Sequence, residues 1–177
     1  MMCNEMIIVN TVNDHLSHKK TLMNLIDDFE SLHDTRVVSG VENISSDWEM
    51  PKESKKEYLE YFFNDVIGET MDSISQTLGL SSWTAHDAWY QRYSEQGTHG
   101  WHNHGKTQFA NCYFLELPDS SYKTEIVGSN GEIIEYDAKE GDVVTFPAWL
   151  KHRSKPNGKE RKTIIAFNSS FGLGKNG

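Results

Sequence analysis

His102, His104, His152 and Arg161 are the residues whose types and spacing could do chemistry. His102 and His104 sit two apart in Trp101-His102-Asn103-His104, and on a strand positions i and i+2 share a face. His152 follows Phe146-Pro147-Ala148-Trp149-Leu150-Lys151, where a buried strand and a Pro-marked turn would carry it to the mouth of a barrel. Three neutral imidazoles brought together this way can hold one face of a metal ion and leave the other open to substrate and oxygen. They suit Fe(II), Zn, Cu or Ni, and no thiolate set points to structural zinc. Arg161 opens the run Thr163-Ile164-Ile165-Ala166-Phe167. If that strand alternates, Arg161 and Thr163 share a face with Ile165 and Phe167 and turn inward with them. A buried Arg demands an anion. A dicarboxylate with a second hydrogen bond from Thr163 is one answer, and a protein carboxylate such as Glu116 or Glu160 is the other.

The elements that must position these residues follow from the change of hydrophobic period. A short strand at Met6-Ile7-Ile8-Val9 precedes a helix capped at Asn13 or Asp14 and carrying Leu16, Leu22, Leu25, Ile26 and Phe29. A longer helix follows Pro51, with Leu59, Phe62, Phe63, Val66, Ile67, Met71, Ile74 and Leu78 on one side and Gly79 at its end. Beyond Gly79 the period becomes two. Residues 83–93, 109–117, 123–127, 132–136, 142–146 and 161–168 read as strands, with the hairpin signal Asn130-Gly131 between two of them. Two helices followed by many short strands predict a mainly β antiparallel sandwich or barrel, with the helices packed outside on one sheet. The chain reads as a single domain over 1–177, with 1–80 as support and 83–171 as the core. His86 and His99 do not share the alternation of the pair. They read as structural or solvent-facing, with His99 also a candidate for the entrance. Trp83, Trp89, Trp101 and Trp149 are candidates to line a substrate cleft.

The chain has 177 residues, 17 basic and 26 acidic, for a formal charge of −9. That balance argues against general nucleic-acid binding. A local basic cluster, Lys151, Arg153, Lys155, Lys159, Arg161 and Lys162, surrounds the third His and reads as solvated charges or as a rim attracting an anionic substrate. No apolar run is long enough for a membrane helix. The opening residues lack a basic stretch leading into a long apolar one, so a cytoplasmic location is expected. Cys3 and Cys112 lack zinc-site spacing and read as free thiols.

The stretches Trp101-His102-Asn103-His104, Cys112-Tyr113-Phe114-Leu115, Gly141-Asp142-Val143-Val144-Thr145-Phe146-Pro147, His152 and Arg161-Lys162-Thr163 resemble the Fe(II)/2-oxoglutarate-dependent oxygenase superfamily. The likeness is to its small prolyl-hydroxylase-like and bacterial and phage members, over residues 83–171. The resemblance implies a double-stranded β-helix and a hydroxylating dioxygenase. It would consume O2 and 2-oxoglutarate, release succinate and CO2, and act on a small-molecule or peptide substrate. It makes His102 and His152 iron ligands, with Arg161 and Thr163 on the far carboxylate of 2-oxoglutarate and a hydroxyl from Tyr113 or Tyr93 beside them. The usual motif is His-x-Asp/Glu, and His104 stands where the carboxylate would be. His104 as the third ligand, a carboxylate such as Asp87 or Glu95, or an open position all satisfy that departure. The His set also resembles the cupin motifs, without their Glu. A cupin-type metal dioxygenase or isomerase, or a non-catalytic jelly-roll module, are the alternatives.

Overall fold

A computed structural model describes residues 6–35, 42–51 and 53–173. Cys3 and the last four residues lie outside them. In chain order the elements are β1 (Ile8–Thr11), α1 (His15–Leu32), β2 (Glu42–Ser46), α2 (Glu57–Tyr61), a π-helical stretch (Phe62–Val66), α3 (Gly68–Thr77), β3 (Ser82–His102), β4 (Phe109–Glu116), a short 3-10 turn (Ser120–Tyr122), β5 (Glu125–Val127), β6 (Asp142–Pro147), β7 (Lys151–Ser154) and β8 (Lys162–Gly172). The strands form one curled antiparallel sheet in the order β1-β6-β4-β8-β3-β7-β5, with β2 added against β3. This is the expected jelly roll with its helices on one face.

Two apolar cores explain the curl. One lies between the helices and the outer face of the sheet. Leu22, Ile26, Phe29, Tyr58, Phe62, Ile67, Met71 and Ile74 meet Tyr90, Tyr113, Val143, Ile165 and Phe167 there. The other fills the roll, with Tyr93, Cys112, Phe114, Ile126, Val144, Phe146, Leu150 and Ile164. Neighbouring residues in one strand therefore serve different cores: Tyr113 and Cys112, Val143 and Val144, Ile165 and Ile164. Both faces of β4, β6 and β8 are buried, which accounts for their nearly unbroken apolar runs.

The helical region keeps its expected core face but not its regularity. The run expected as one helix is α2, a π-widened turn and α3, and Gly79 ends it with φ +70°. Asp14 occupies the N-cap position of α1 with φ 51°, but its side chain makes no cap hydrogen bond. Residues 132–136 do not form the expected strand. After the Gly128–Gly131 turn the chain makes one bridge, Val127 with Ile133, and then leaves. Tyr136 instead turns its hydroxyl onto the Thr124 carbonyl. The Pro-marked turn falls at 148–150, and His152 just beyond it lies in β7, a strand not among those expected.

β3 sets the position of the site. Its first half pairs with β8, from Ser82 opposite Gly172 to Tyr93 opposite Lys162. Its middle pairs with β2, and its end crosses to β7, where His99 faces Ser154 and His102 faces His152. One strand thus runs from the helix-backed side of the roll to its open side.

Candidate metal centre

His102 closes β3, His104 follows just beyond it, and His152 lies in β7. His104 leaves the strand but stays on the shared side because its N–H donates to the Ala148 carbonyl at 2.8 Å. One ring nitrogen from each residue lies within 4.8 Å of the others, and no carboxylate or thiol joins the set among the described residues. The surroundings fix which nitrogen that is. His102 Nδ1 donates to the Gly100 carbonyl at 2.8 Å, His152 Nδ1 to the Leu150 carbonyl at 3.1 Å, and His104 Nδ1 to Asn168 Oδ1 at 2.6 Å. Each neutral ring then has its lone pair on Nε2. Such outer hydrogen bonds are how metal-binding imidazoles are oriented. His104 Nε2 is buried and has no hydrogen-bond partner. A buried nitrogen left without a partner is costly, and a metal ion would answer it.

Electrostatics agrees with neutral ligands. Burial pushes the His152 pKa down to about 3, reinforced by the neighbouring imidazoles. His102 and His104 are also lowered, chiefly by burial. His99 stacks on His102 with centroids 4.0 Å apart and is pushed down to about 4, again mainly by burial. His99, read from the sequence as structural or solvent-facing with the entrance as its alternative, lines the same chamber, together with Trp89, Gln91, Tyr93, Thr124 and Ser154.

Arg161 and Thr163 lie on the other side of the sheet. Arg161 grips Glu116 with a two-pronged contact, Nε to Oε2 at 2.9 Å and one Nη to Oε1 at 3.0 Å, and its side chain is 47% exposed. Thr163 donates to the same carboxylate at 2.5 Å. The alternation placed Arg161 with Ile165 and Phe167, and their face is buried, but against the helices rather than inside the roll. Tyr113 also faces that way, its hydroxyl 2.6 Å from His15 Nδ1. Of the four residues expected at a co-substrate, only Tyr93 lines the chamber.

Arg153, at the chamber wall, is paired with Glu125 at 2.7 Å; the fully buried cation inside the roll, among the described residues, is Lys162. It is 1% exposed, donates to the Tyr122 carbonyl at 3.0 Å and to Ser154 Oγ, and lies over the Tyr93 ring at 4.1 Å. Both hydrogen-bond acceptors are neutral, and burial pushes its pKa down to about 8. A buried ammonium without a counter-charge is expensive, so an incoming carboxylate fits this position. The signal in the sequence was its place one residue after Arg161, on the face shared with Ile164 and Ala166. The open volume among the lining side chains is about 30 Å³. Two larger grooves adjoin each other, and the first of them shares Trp89 with the chamber. One of about 510 Å³ is lined by Trp48, Met50, Asp87, Trp89 and Asn168; another of about 570 Å³ by Leu59, Phe63, Trp83 and Ala85. Trp101 lies outside them with Arg153 over its ring, and Trp149 is exposed.

No family model matches the sequence, and none of the curated proteins does. The fold is shared with solved structures across nearly the whole chain. A prolyl-4-hydroxylase from Pseudomonas putida is 12% identical, covers 97% of this chain and 95% of its own, and has a TM-score of 0.61. The viral collagen prolyl hydroxylase of Paramecium Bursaria Chlorella virus-1, in its 2-oxoglutarate complex, is 14% identical over 98% and 100% of the two chains, with TM-score 0.61. HygX from Streptomyces hygroscopicus, with nickel, 2-oxoglutarate and hygromycin B bound, is 9% identical over 97% and 84%, with TM-score 0.68. The chain has the fold of the 2-oxoglutarate–Fe(II) oxygenases.

Proposed function

We propose that this protein is a non-haem Fe(II)- and 2-oxoglutarate-dependent dioxygenase that hydroxylates a small-molecule or peptide substrate. The observation that carries this reading is the pairing of two buried features in one roll. Three imidazoles are each locked with Nε2 as the free lone pair, and an ammonium lies beyond them with no carboxylate among the described residues to answer it. His102, His104 and His152 hold the metal as neutral ligands. Lys162 binds the far carboxylate of 2-oxoglutarate, with Tyr93 and Ser154 fixing the ammonium. Arg161 and Thr163 stay with Glu116 and take no part in the site. Bound Fe(II) and 2-oxoglutarate supply activation of O2 for C–H hydroxylation, with succinate and CO2 as the other products.

The protein's contribution is orientation and a dry wall. Phe146, Ile164 and Ala166 line the chamber and exclude water. That strengthens the attraction between Lys162 and a carboxylate. Trp89 presents a buried Nε1–H with no acceptor on the strand that borders both the chamber and the Trp48 groove. A substrate oxygen in that groove would satisfy it. The absence of a carboxylate from the triad favours a second reading, a cupin-type dioxygenase using the same metal without 2-oxoglutarate. Anaerobic titration with Fe(II) and then 2-oxoglutarate separates them. A visible charge-transfer band that grows with 2-oxoglutarate and saturates supports the first reading; Fe(II) binding with no such band hands the site to the second.

A further inference from the structure

His99 stands beside the three convergent imidazoles but is wired in the opposite sense. Their Nδ1 atoms give protons to oxygens. His99 Nδ1 instead receives one, from Gln91 Nε2 at 3.1 Å. Gln91 is held in that orientation by Tyr93, whose hydroxyl donates to Gln91 Oε1 at 2.8 Å. A neutral imidazole that accepts at Nδ1 carries its proton on Nε2. The ring lies nearly parallel to His102, 16° between planes, and lines the chamber without belonging to the set of close ligand nitrogens. Three rings are thus prepared as lone-pair donors and a fourth as an N–H donor. The residue that starts this wiring, Tyr93, also packs its ring against the Lys162 ammonium.

Resting on the reading of the chamber as a metal and 2-oxoglutarate site, we propose that His99 is a hydrogen-bond donor rather than a metal ligand. Its Nε2–H meets the carboxylate that the co-substrate places at the metal. A charge-assisted hydrogen bond there holds the near end of the diacid, as Lys162 holds the far end. Gln91 is a positioning residue that acts by fixing the tautomer of His99. The metal keeps three protein ligands, so adjacent positions stay open for a chelating anion and for O2.

The test uses the Co(II)-loaded protein with two probes, oxalate and 2-oxoglutarate. Oxalate can chelate a metal but uses both its carboxylates to do so, leaving none for Lys162. His99→Phe keeps the stacked ring and removes the N–H. The expected result is an unchanged Co(II) visible spectrum and Co(II) affinity, with both anions bound about tenfold more weakly or worse. His99→Gln, which restores an N–H, recovers part of that loss. Gln91→Leu weakens both anions in the same direction through the freed tautomer. Lys162→Met weakens 2-oxoglutarate alone. Nitrogen NMR of the metal-free protein should show His99 protonated at Nε2 and the other three rings at Nδ1. Loss of Co(II) affinity in His99→Phe would make His99 a ligand and overturn the proposal, as would unaltered oxalate affinity or an Nδ1–H tautomer at His99. Wild-type protein that holds Co(II) but binds neither anion would instead bring down the underlying reading of the chamber.

Discussion

His102 and His152 are direct antiparallel partners across β3 and β7, with ring centroids 4.2 Å apart and planes at 55°. Two residues separated by a long stretch of chain are thereby placed by backbone pairing rather than by loop conformation. Sites built on strands hold their geometry more tightly than sites built on loops. His104, the third member, depends on a different device, the hydrogen bond from its Nδ1 to Asn168 on β8.

His152→Ala removes one of the three convergent nitrogens from a strand whose pairing is backbone-based. Metal affinity should fall by more than about a hundredfold, beyond the loss typical of an outer hydrogen-bond partner. The fold should survive at a cost of about 1–2 kcal/mol for the truncated buried ring. Metal content after dialysis, read beside a thermal melt of the metal-free protein, checks both halves. Wild-type metal content in the mutant would remove His152 from the ligand set.

Asn168→Ala takes away the acceptor that holds His104 with Nε2 free. Metal binding should weaken about 10–100-fold, while Asn168→Asp, which keeps an acceptor oxygen, should bind close to wild type. Competition against a fluorescent chelator measures the difference. If alanine and aspartate behave alike, the tautomer of His104 is not set by this contact.

Lys162→Met and Arg161→Ala should separate cleanly in calorimetry with 2-oxoglutarate. Losing a charge-assisted contact in a buried site costs about 2–5 kcal/mol, or roughly 30- to several-thousand-fold in affinity. Arg161 is half exposed and engaged with Glu116, so its removal should leave co-substrate binding unchanged and cost stability by less than about 1 kcal/mol. Lys162→Met should also raise the melting temperature of the ligand-free protein near neutral pH, because an unanswered buried charge is lost. The reverse ranking of the two variants in 2-oxoglutarate affinity would return the clamp to Arg161.

Acid should destabilise the metal-free protein in a defined window. His152 and His99 titrate near 3 and 4 in the fold against an ordinary value of 6.5. The unfolded chain therefore binds more protons between those limits. Stability contributed by the neutral rings is complete above about pH 6.5 and falls as pH drops toward 3. Lys162 acts at the other end. Its depressed pKa of about 8 lies below the ordinary 10.5, so stability should rise with pH between those values. Chemical denaturation across the pH range reads both slopes, and Lys162→Met should flatten only the alkaline one.

The sequence by itself brought out the three convergent histidines and most of the elements that carry them. Alternation put His102 and His104 on one side, the apolar spacing after Pro51 marked the helical face, and the change of period after Gly79 announced a sandwich or barrel of short strands. These are local signals, each written within a few neighbouring residues. Tertiary structure alone decided which face of β8 turns toward the three imidazoles. Thr163, Ile164, Ile165 and Phe167 are all buried, because β8 lies between the helices on one side and the interior of the roll on the other. Alternation says that Arg161 and Lys162 point to opposite faces, but a strand covered on both sides carries no polar face to tell which is which. A one-residue choice of phase exchanges the two faces completely. Packing against Phe62 and the other helix residues makes that choice, sending Arg161 to Glu116 and Lys162 into the interior of the roll against Ser154 and Tyr93. The roles of His99 and Asn168 were equally hidden, since their partners Gln91, His102 and His104 meet them only through the curl of β3 and its neighbours.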